Sequence, residues 1–255
     1  VLEQNKDKPI FNLTQTDNEW FDINKLKLGI PKNSWYVVVH AREKGYSKID
    51  DHIQSYRNGK ITNLISSIKE ISKRGGWIVR IGHNSSEKLP KMKNLIDYAH
   101  YKNKSDRLDI CLIANAKFIL GNTSGINCVG SIFGVPSAIA NVIPLSVLWL
   151  TSNDLFIPKL IFSKKNDKYL SINEILKTIP ELYYTQQYAD LGLIPIENSE
   201  SEIQDLVIDM FEKLEKKMKS TNNKISKFLN KKHYGFNSKT DVSKRFIDKY
   251  ESLFS

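Results

Sequence analysis

KFILGNTSGINCVGSIFGVPSAIAN (117–141) decides how this chain folds, because no charged residue interrupts the sequence between Lys117 and Asp154. An uncharged run of that length can cross a bilayer as a helix. Its interior argues against it. Gly121, Asn122, Thr123, Ser124, Asn127, Gly134, Pro136, Asn141 and Pro144 break the run at short intervals. A lipid-exposed helix would leave those polar breaks without partners. The stretch divides instead into FILGN, TSGINCVGSIFG and VPSAIAN, which reads as strand, then turn and helix, then strand. It is the buried core of an α/β protein.

Upstream, the same alternation continues. WYVVVH (35–40) is a continuous apolar, β-branched run, as in a strand covered on both faces. Apolar residues at 61, 64, 65, 68 and 71 mark one face of a helix that Gly75-Gly76 ends. WIVRIG (77–82) reads as a second central strand, LIDYA (95–99) as a third, shorter one, and LDICLIANA (108–116) as a helix. Strands and helices alternating over short connections imply a parallel sheet with helices on both faces, a Rossmann-like domain over 31–165. Residues 1–30 read as a linker or the remnant of a preceding domain, with a helix start at which Thr16 and Glu19 form a capping box. Downstream, 146–197 loses the pattern. Asn198 or Ser199 then caps a helix with apolar positions 203, 206, 207, 210, 211 and 214, and a short helix over 243–253 closes the chain. Residues 166–255 are therefore expected to be a mainly helical extension packed on the Rossmann-like domain.

Composition narrows the function classes. The chain has 255 residues, with 38 Lys and Arg against 28 Asp and Glu, a formal charge of +10. That length supports one core and a satellite rather than three domains. Two cysteines exclude a disulfide framework and a four-cysteine zinc site. Cys111 and Cys128 lie in apolar stretches and are expected as buried free thiols of a reducing compartment. The chain opens on Val1 with no signal segment, which reads as a piece of a longer protein. Lysines concentrate at 213–219 and 227–232. Such runs are either solvated helix ends or an attraction for a membrane surface, a nucleotide or a polyanionic glycan. No zinc-finger spacing, aromatic RNA-binding signature or helix-turn-helix is present, so nucleic acid is not an expected partner.

In a doubly wound sheet, ligands bind beyond the carboxyl ends of the strands. His40, Arg42 and Glu43 leave the first strand, Arg80, Gly82 and His83 the second, and Gly121, Asn122, Thr123, Ser124 and Gly125 the strand FIL, while Asn141 ends SAIA. Arg42 either meets an anionic ligand or pairs with Glu43 or Asp51. Arg80, inside an apolar strand, needs a buried carboxylate such as Asp109, or a ligand phosphate. GNTSG combines close backbone approach, hydroxyls and a helix start, which suits an anion but is also an ordinary cap. Neither G-x-G-x-x-G nor the P-loop pattern occurs, and no histidine spacing suits a metal, so no cofactor or metal is expected.

WYVVVHARE, SYRNGKITNLISSI, GGWIVRIGHN, LPKMKNLIDYA, KSDRLDICLIANAKFILGNTSG and FGVPSAIAN follow one another in order. This set resembles a family of bacterial glycosyltransferases found with surface-polysaccharide genes, over about residues 20–215. It is similar, more distantly, to the C-terminal half of the protein O-fucosyltransferases, where an H-x-R after a strand and a later serine-rich loop hold the sugar nucleotide. The resemblance implies the donor-binding half of a GT-B arrangement and a sugar-nucleotide-dependent, metal-independent glycosyltransferase. GDP- or UDP-sugar donors and a glycan or lipid-linked acceptor follow from it, in the cytoplasm or peripheral to the inner membrane. On that basis Arg42, with Arg80, and the N–H groups and hydroxyls of Thr123 and Ser124 stabilise the departing diphosphate. His40 orients phosphate or sugar, and Glu43 is the general base. Asp109 anchors Arg80 or reaches a ribose hydroxyl, and Asn141 is either donor-binding or structural. The competing readings are a nucleotide- or glycan-binding module without turnover and an epimerase of phosphorylated ligands.

Overall fold

A computed structural model describes residues 9–45, 47–84, 87–145, 151–178, 182–218 and 240–254. The apolar run at 35–40 forms β1 (Tyr36–His40), and β2 (Trp77–Arg80), β3 (Leu95–Ile96), β4 (Ile119–Asn122), β5 (Ser137–Val142) and β6 (Leu155–Pro158) follow it. A smaller sheet holds β7 (Leu160–Ser163), β8 (Lys168–Tyr169) and β9 (Leu193–Ile196), and β10 (Asp241–Val242) rejoins the first. The large sheet runs β10-β6-β5-β4-β1-β2-β3, and all of its pairings are parallel. Apart from β10, this is the Rossmann strand order 3-2-1-4-5-6.

Side-chain alternation along β1 explains why the sheet is covered twice. Val37 and Val39 point into one core and Tyr36 and Val38 into the other. Helices α1 (Gln15–Lys27) to α9 divide between the two faces, and chain order names the rest: α2 (Lys48–Ile53), α3 (Ile65–Lys73), α4 (Asp106–Ala114), α5 (Gly125–Ile132), α6 (Ile172–Thr178), α7 (Thr185–Asp190), α8 (Glu200–Leu214) and α9 (Lys244–Lys249). On the Val37 face, Ile68 and Ile71 of α3 pack with Ile203, Leu206, Val207 and Met210 of α8. On the Tyr36 face, Phe21 of α1 packs with Leu108, Cys111 and Leu112 of α4.

Several boundaries differ from the sequence expectation. Thr14, not Thr16, caps α1: its hydroxyl accepts the Asp17 N–H at 3.1 Å, and Thr16 lies one residue inside the helix. Within the expected linker or remnant over 1–30, the described residues 9–30 belong to the fold, because Phe21 and Ile30 are buried in the core of the Tyr36 face. The strand expected over 95–99 is two residues long and passes into a single 3-10 turn, Tyr98–His100. The described part of 166–255 is mainly helical, with α6 to α9, and also holds three short strands that the sequence did not show: β8 and β9 complete an antiparallel sheet with β7, and β10 extends the parallel one. Between the two candidate caps of α8, Ser199 takes the role. Its hydroxyl accepts the Glu202 N–H at 3.3 Å while Glu202 returns a bond to the Ser199 N–H at 2.8 Å. The closing helix stops at Lys249 and a 3-10 turn, Glu251–Phe254, follows. Cys111 is buried as expected, but Cys128 is exposed on the outer side of α5. The basic run 227–232 lies outside the described residues. No helix among the described residues is long and apolar enough to cross a membrane.

Candidate functional site

The strand order reverses between β1 and β4: the chain travels from β1 out to β2 and β3, then returns to β4 and moves the other way. Connections leaving adjacent carboxyl ends in opposite directions open a crevice there. A cleft of about 640 Å³ occupies that position, with His40, Arg42, Gly82, Lys104, Ser124 and Gly125 on its walls. The α4 carboxylates Asp106 and Asp109 and the α2 carboxylate Asp50 stand on its rim.

His40, the last residue of β1, places Nδ1 3.3 Å from the Ile81 carbonyl oxygen. A carbonyl only accepts, so the neutral ring carries its proton on Nδ1 and leaves the Nε2 lone pair free to accept. Burial pulls the His40 pKa down to about 4; the Ile81 bond opposes this, and the charges of Arg80 and Arg42 add to it. At neutral pH His40 is therefore an uncharged hydrogen-bonding group.

Arg42 owes its position to Asn122. The buried Asn122 accepts the Arg42 N–H on Oδ1 at 2.7 Å and donates through Nδ2 to the Arg57 carbonyl at 3.1 Å. Among the described residues, the Arg42 guanidinium meets only the Asp50 carboxylate, at 3.4 Å, and its Nε is buried without a partner. Arg57 lies close behind it, donating to the Thr123 carbonyl at 3.0 Å and to Gln54 at 2.8 Å. Burial, reinforced by the Arg42 charge, lowers the Arg57 pKa. Two guanidinium groups thus share one half-exposed carboxylate, while the cleft as a whole is lined by the carboxylates Glu43, Asp50, Asp51, Asp106 and Asp109 and the cations Arg42, Lys44 and Lys104. On the opposite wall Lys104 donates to the Gly82 carbonyl. Gly82 itself has φ +148, a conformation that favours glycine. Gly125 opens α5 with nothing within 4 Å of the place a Cβ would take, so the helix start is uncovered at that residue, which lines the cleft.

Of the remaining candidates, Glu43, Asp109 and Ser124 line the cleft, and Arg80, Gly121, Thr123 and Asn141 do not. Arg80 is 1% exposed and is held by two carboxylates, Asp97 at 2.8 Å and Glu43 at 3.1 Å. Its partner is not Asp109, and it contributes nothing to the cleft wall. Glu43 also accepts the Ile61 N–H at 3.2 Å, and burial raises its pKa. Glu43 lines the cleft, yet both of its carboxylate oxygens are engaged, one by Arg80 and one by the Ile61 N–H, which argues against the role of general base expected of it. Asp109 instead faces the cleft beside the Tyr98 hydroxyl, with burial raising its pKa and one carboxylate oxygen buried without a partner. Gly121 serves strand packing, since a Cβ there would lie 2.6 Å from the His40 carbonyl oxygen. Thr123 is buried off the cleft wall, and the Ser124 hydroxyl is taken by the α5 cap through the Ile126 N–H at 3.3 Å. Asn141 is structural: at φ +55 it exchanges two bonds with Asn198, N–H to Oδ1 at 2.6 Å and the reverse at 2.7 Å.

Lys104, Arg57 and Asp50 were not legible as site residues. Each lies in a polar connection where lysine, arginine and aspartate are ordinary, and none follows a strand directly. Among the described residues, no group of three or more His, Cys, Asp or Glu side chains is placed to hold a metal ion. Comparison with protein-family models, with curated proteins and with solved structures finds no match.

Proposed function

We propose that the cleft binds a nucleotide-linked sugar and that the protein transfers the sugar to a glycan or lipid-linked hydroxyl. The observation that carries this reading is the cleft at the strand-order reversal, where the Arg42 guanidinium and the Gly125 end of α5 converge. A diphosphate suits that pairing, because fixed cations and aligned N–H groups stabilise charge that grows as the anomeric C–O bond breaks. Arg42 and Lys104 carry the cationic part and the Gly125 end of α5 the dipolar part.

His40 replaces Glu43 as the base in this reading. The acceptor hydroxyl attacks the anomeric carbon, its proton passes to His40 Nε2, and the nucleoside diphosphate leaves with the bonding pair. The negative charge of a bound diphosphate raises the histidine pKa from its depressed value toward neutrality, where proton transfer is efficient.

A thermal-shift panel of UDP, GDP, CDP, dTDP and CMP, with and without EDTA, tests the proposal. Selective stabilisation by one nucleoside diphosphate that survives EDTA is the expected result. Nucleotide binding without transfer or slow donor hydrolysis would point to a module that lacks turnover. No shift with any nucleotide, in folded protein, removes the donor site.

A further inference from the structure

A second groove, of about 600 Å³, shares Glu43 and Lys44 with the first cleft, and Asn58, Gly59 and Lys60 form part of its wall. That segment is tied to the residues after β1 and to Lys159. The Gly59 N–H donates to the Arg42 carbonyl at 3.0 Å, and the Asn58 carbonyl accepts from Lys159 Nζ at 2.7 Å. A Cβ at Gly59 would come within 2.9 Å of the Asn141 side chain, so the segment is closely packed there.

Lys159 is the single residue between β6 and β7, where the chain passes from the parallel sheet into the antiparallel one. That position holds its side chain at 6% exposure on the wall of the groove. An ammonium has three protons to donate. Here, among the described residues, it finds one neutral acceptor, the Asn58 carbonyl, and no carboxylate partner. Glu197, on the same groove, stabilises the Lys159 charge from a distance, but its Oε1 is bonded by the Lys60 N–H at 2.6 Å and the Asn63 side chain at 2.9 Å. Glu43 is occupied by Arg80. A buried cation that no carboxylate contacts directly is costly unless something anionic reaches it. Tyr56, Tyr188, Ile194 and Pro195 supply apolar surface around it, of the kind that packs on a sugar ring.

We propose that this groove is a second ligand site, for a sugar bearing an anionic group, and that Lys159 receives the carboxylate or phosphate. Its assignment as the acceptor site rests on the transfer reading above; the anion site itself does not. Two adjoining clefts that share Glu43 and Lys44 place an acceptor hydroxyl beside a donor without requiring either ligand to move far.

Calorimetry on the whole chain with glucuronate, glucose 1-phosphate and glucose tests the site, and the first two probes separate a carboxylate from a phosphate ligand. At least one acidic sugar is expected to bind about tenfold or more tighter than glucose. Lys159→Met removes that preference and leaves the nucleotide-induced thermal shift unchanged. If that variant does not fold, two measurements decide without it. Burial lowers the Lys159 pKa to about 8, so glucuronate affinity in the unmodified chain falls by about tenfold between pH 6.5 and 9. The other titratable groups on the groove are Lys44, Lys60, Glu43, Glu197, Tyr56 and Tyr188, and burial pushes both tyrosines up, away from this range. Ile194→Glu, at an exposed position, places a carboxylate in the groove and weakens the acidic sugar several-fold while sparing glucose. Equal affinity for glucose and both acidic sugars, or full affinity in folded Lys159→Met, overturns the proposal. If nucleotides give no shift while acidic sugars still bind through Lys159, the transfer reading falls and the anion site stands. If nucleotides bind and acidic sugars show no preference, the groove proposal falls alone.

Discussion

The ends of β1 and β2 lie side by side in one sheet, and each delivers an arginine to a different fate. Arg80 closes β2 inside the protein, clasped by Glu43 and Asp97 with 1% of its side chain exposed. Arg42 stands two residues past β1, with its backbone held by Asn122, its guanidinium loosely met by Asp50, and its Nε without a partner. Carboxylates sufficient for one arginine are spent on the buried one, and the other is left to the cleft. A charged residue at a strand end is thus informative about function only when the partners around it have been counted.

Arg80→Ala should give the largest effect that sharpens this contrast. It leaves two carboxylates facing each other without their cation, and stability by chemical denaturation should fall by about 3–5 kcal/mol. Arg42→Ala should do the opposite. Nucleotide affinity is expected to weaken by about 1.5–3 kcal/mol by calorimetry, with stability changed by less than about 1 kcal/mol because its partner Asp50 is half exposed. Comparable losses of stability in both variants would erase the distinction between them.

The histidine between the two arginines gives a pH signature. Its folded pKa of about 4 lies below its ordinary 6.5, so between those values the unfolded chain binds a proton that the folded chain refuses. Stability is full above about pH 6.5 and should drop by about 1–3 kcal/mol as pH falls toward 4. His40→Gln should flatten that part of the denaturation profile, and an unaltered slope would place the acid sensitivity elsewhere. The smallest effect is far from the site. Thr14→Ala should cost about 1 kcal/mol through loss of the α1 cap, and Thr16→Ala less than about 0.5 kcal/mol. A reversal of that order would restore Thr16 as the cap.

Periodicity carried the fold because its cause is local. Continuous β-branched runs such as YVVVH exclude water on both faces, and the three-and-four spacing from Ile61 to Ile71 does the same on one face of a helix. Where elements are only two residues long, as in β3, β8 and β10, pairing is decided by a neighbouring strand and leaves no pattern to read. The site shows the same division. His40, Arg42, Gly82, Ser124 and Gly125 were legible because they follow strands directly, and the structure brings them to one cleft. Arg80, Asn122, Thr123, Gly121 and Asn141 follow strands equally closely, yet they lie off the cleft wall, and Glu43, which lines it, is tied to Arg80.

The amino-acid sequence by itself determined the alternating strands and helices, the parallel sheet and the strand ends that line its cleft. Those follow from hydrophobic spacing and turn residues over a few neighbouring positions. Only the tertiary structure decided which charges are consumed and which remain free. Glu43 meets Arg80 across 37 residues, Asn198 meets Asn141 across 57, and Lys159 reaches Asn58 across 101. An ion pair or hydrogen bond depends on distances of a few ångströms between groups that the chain brings together only when it is folded.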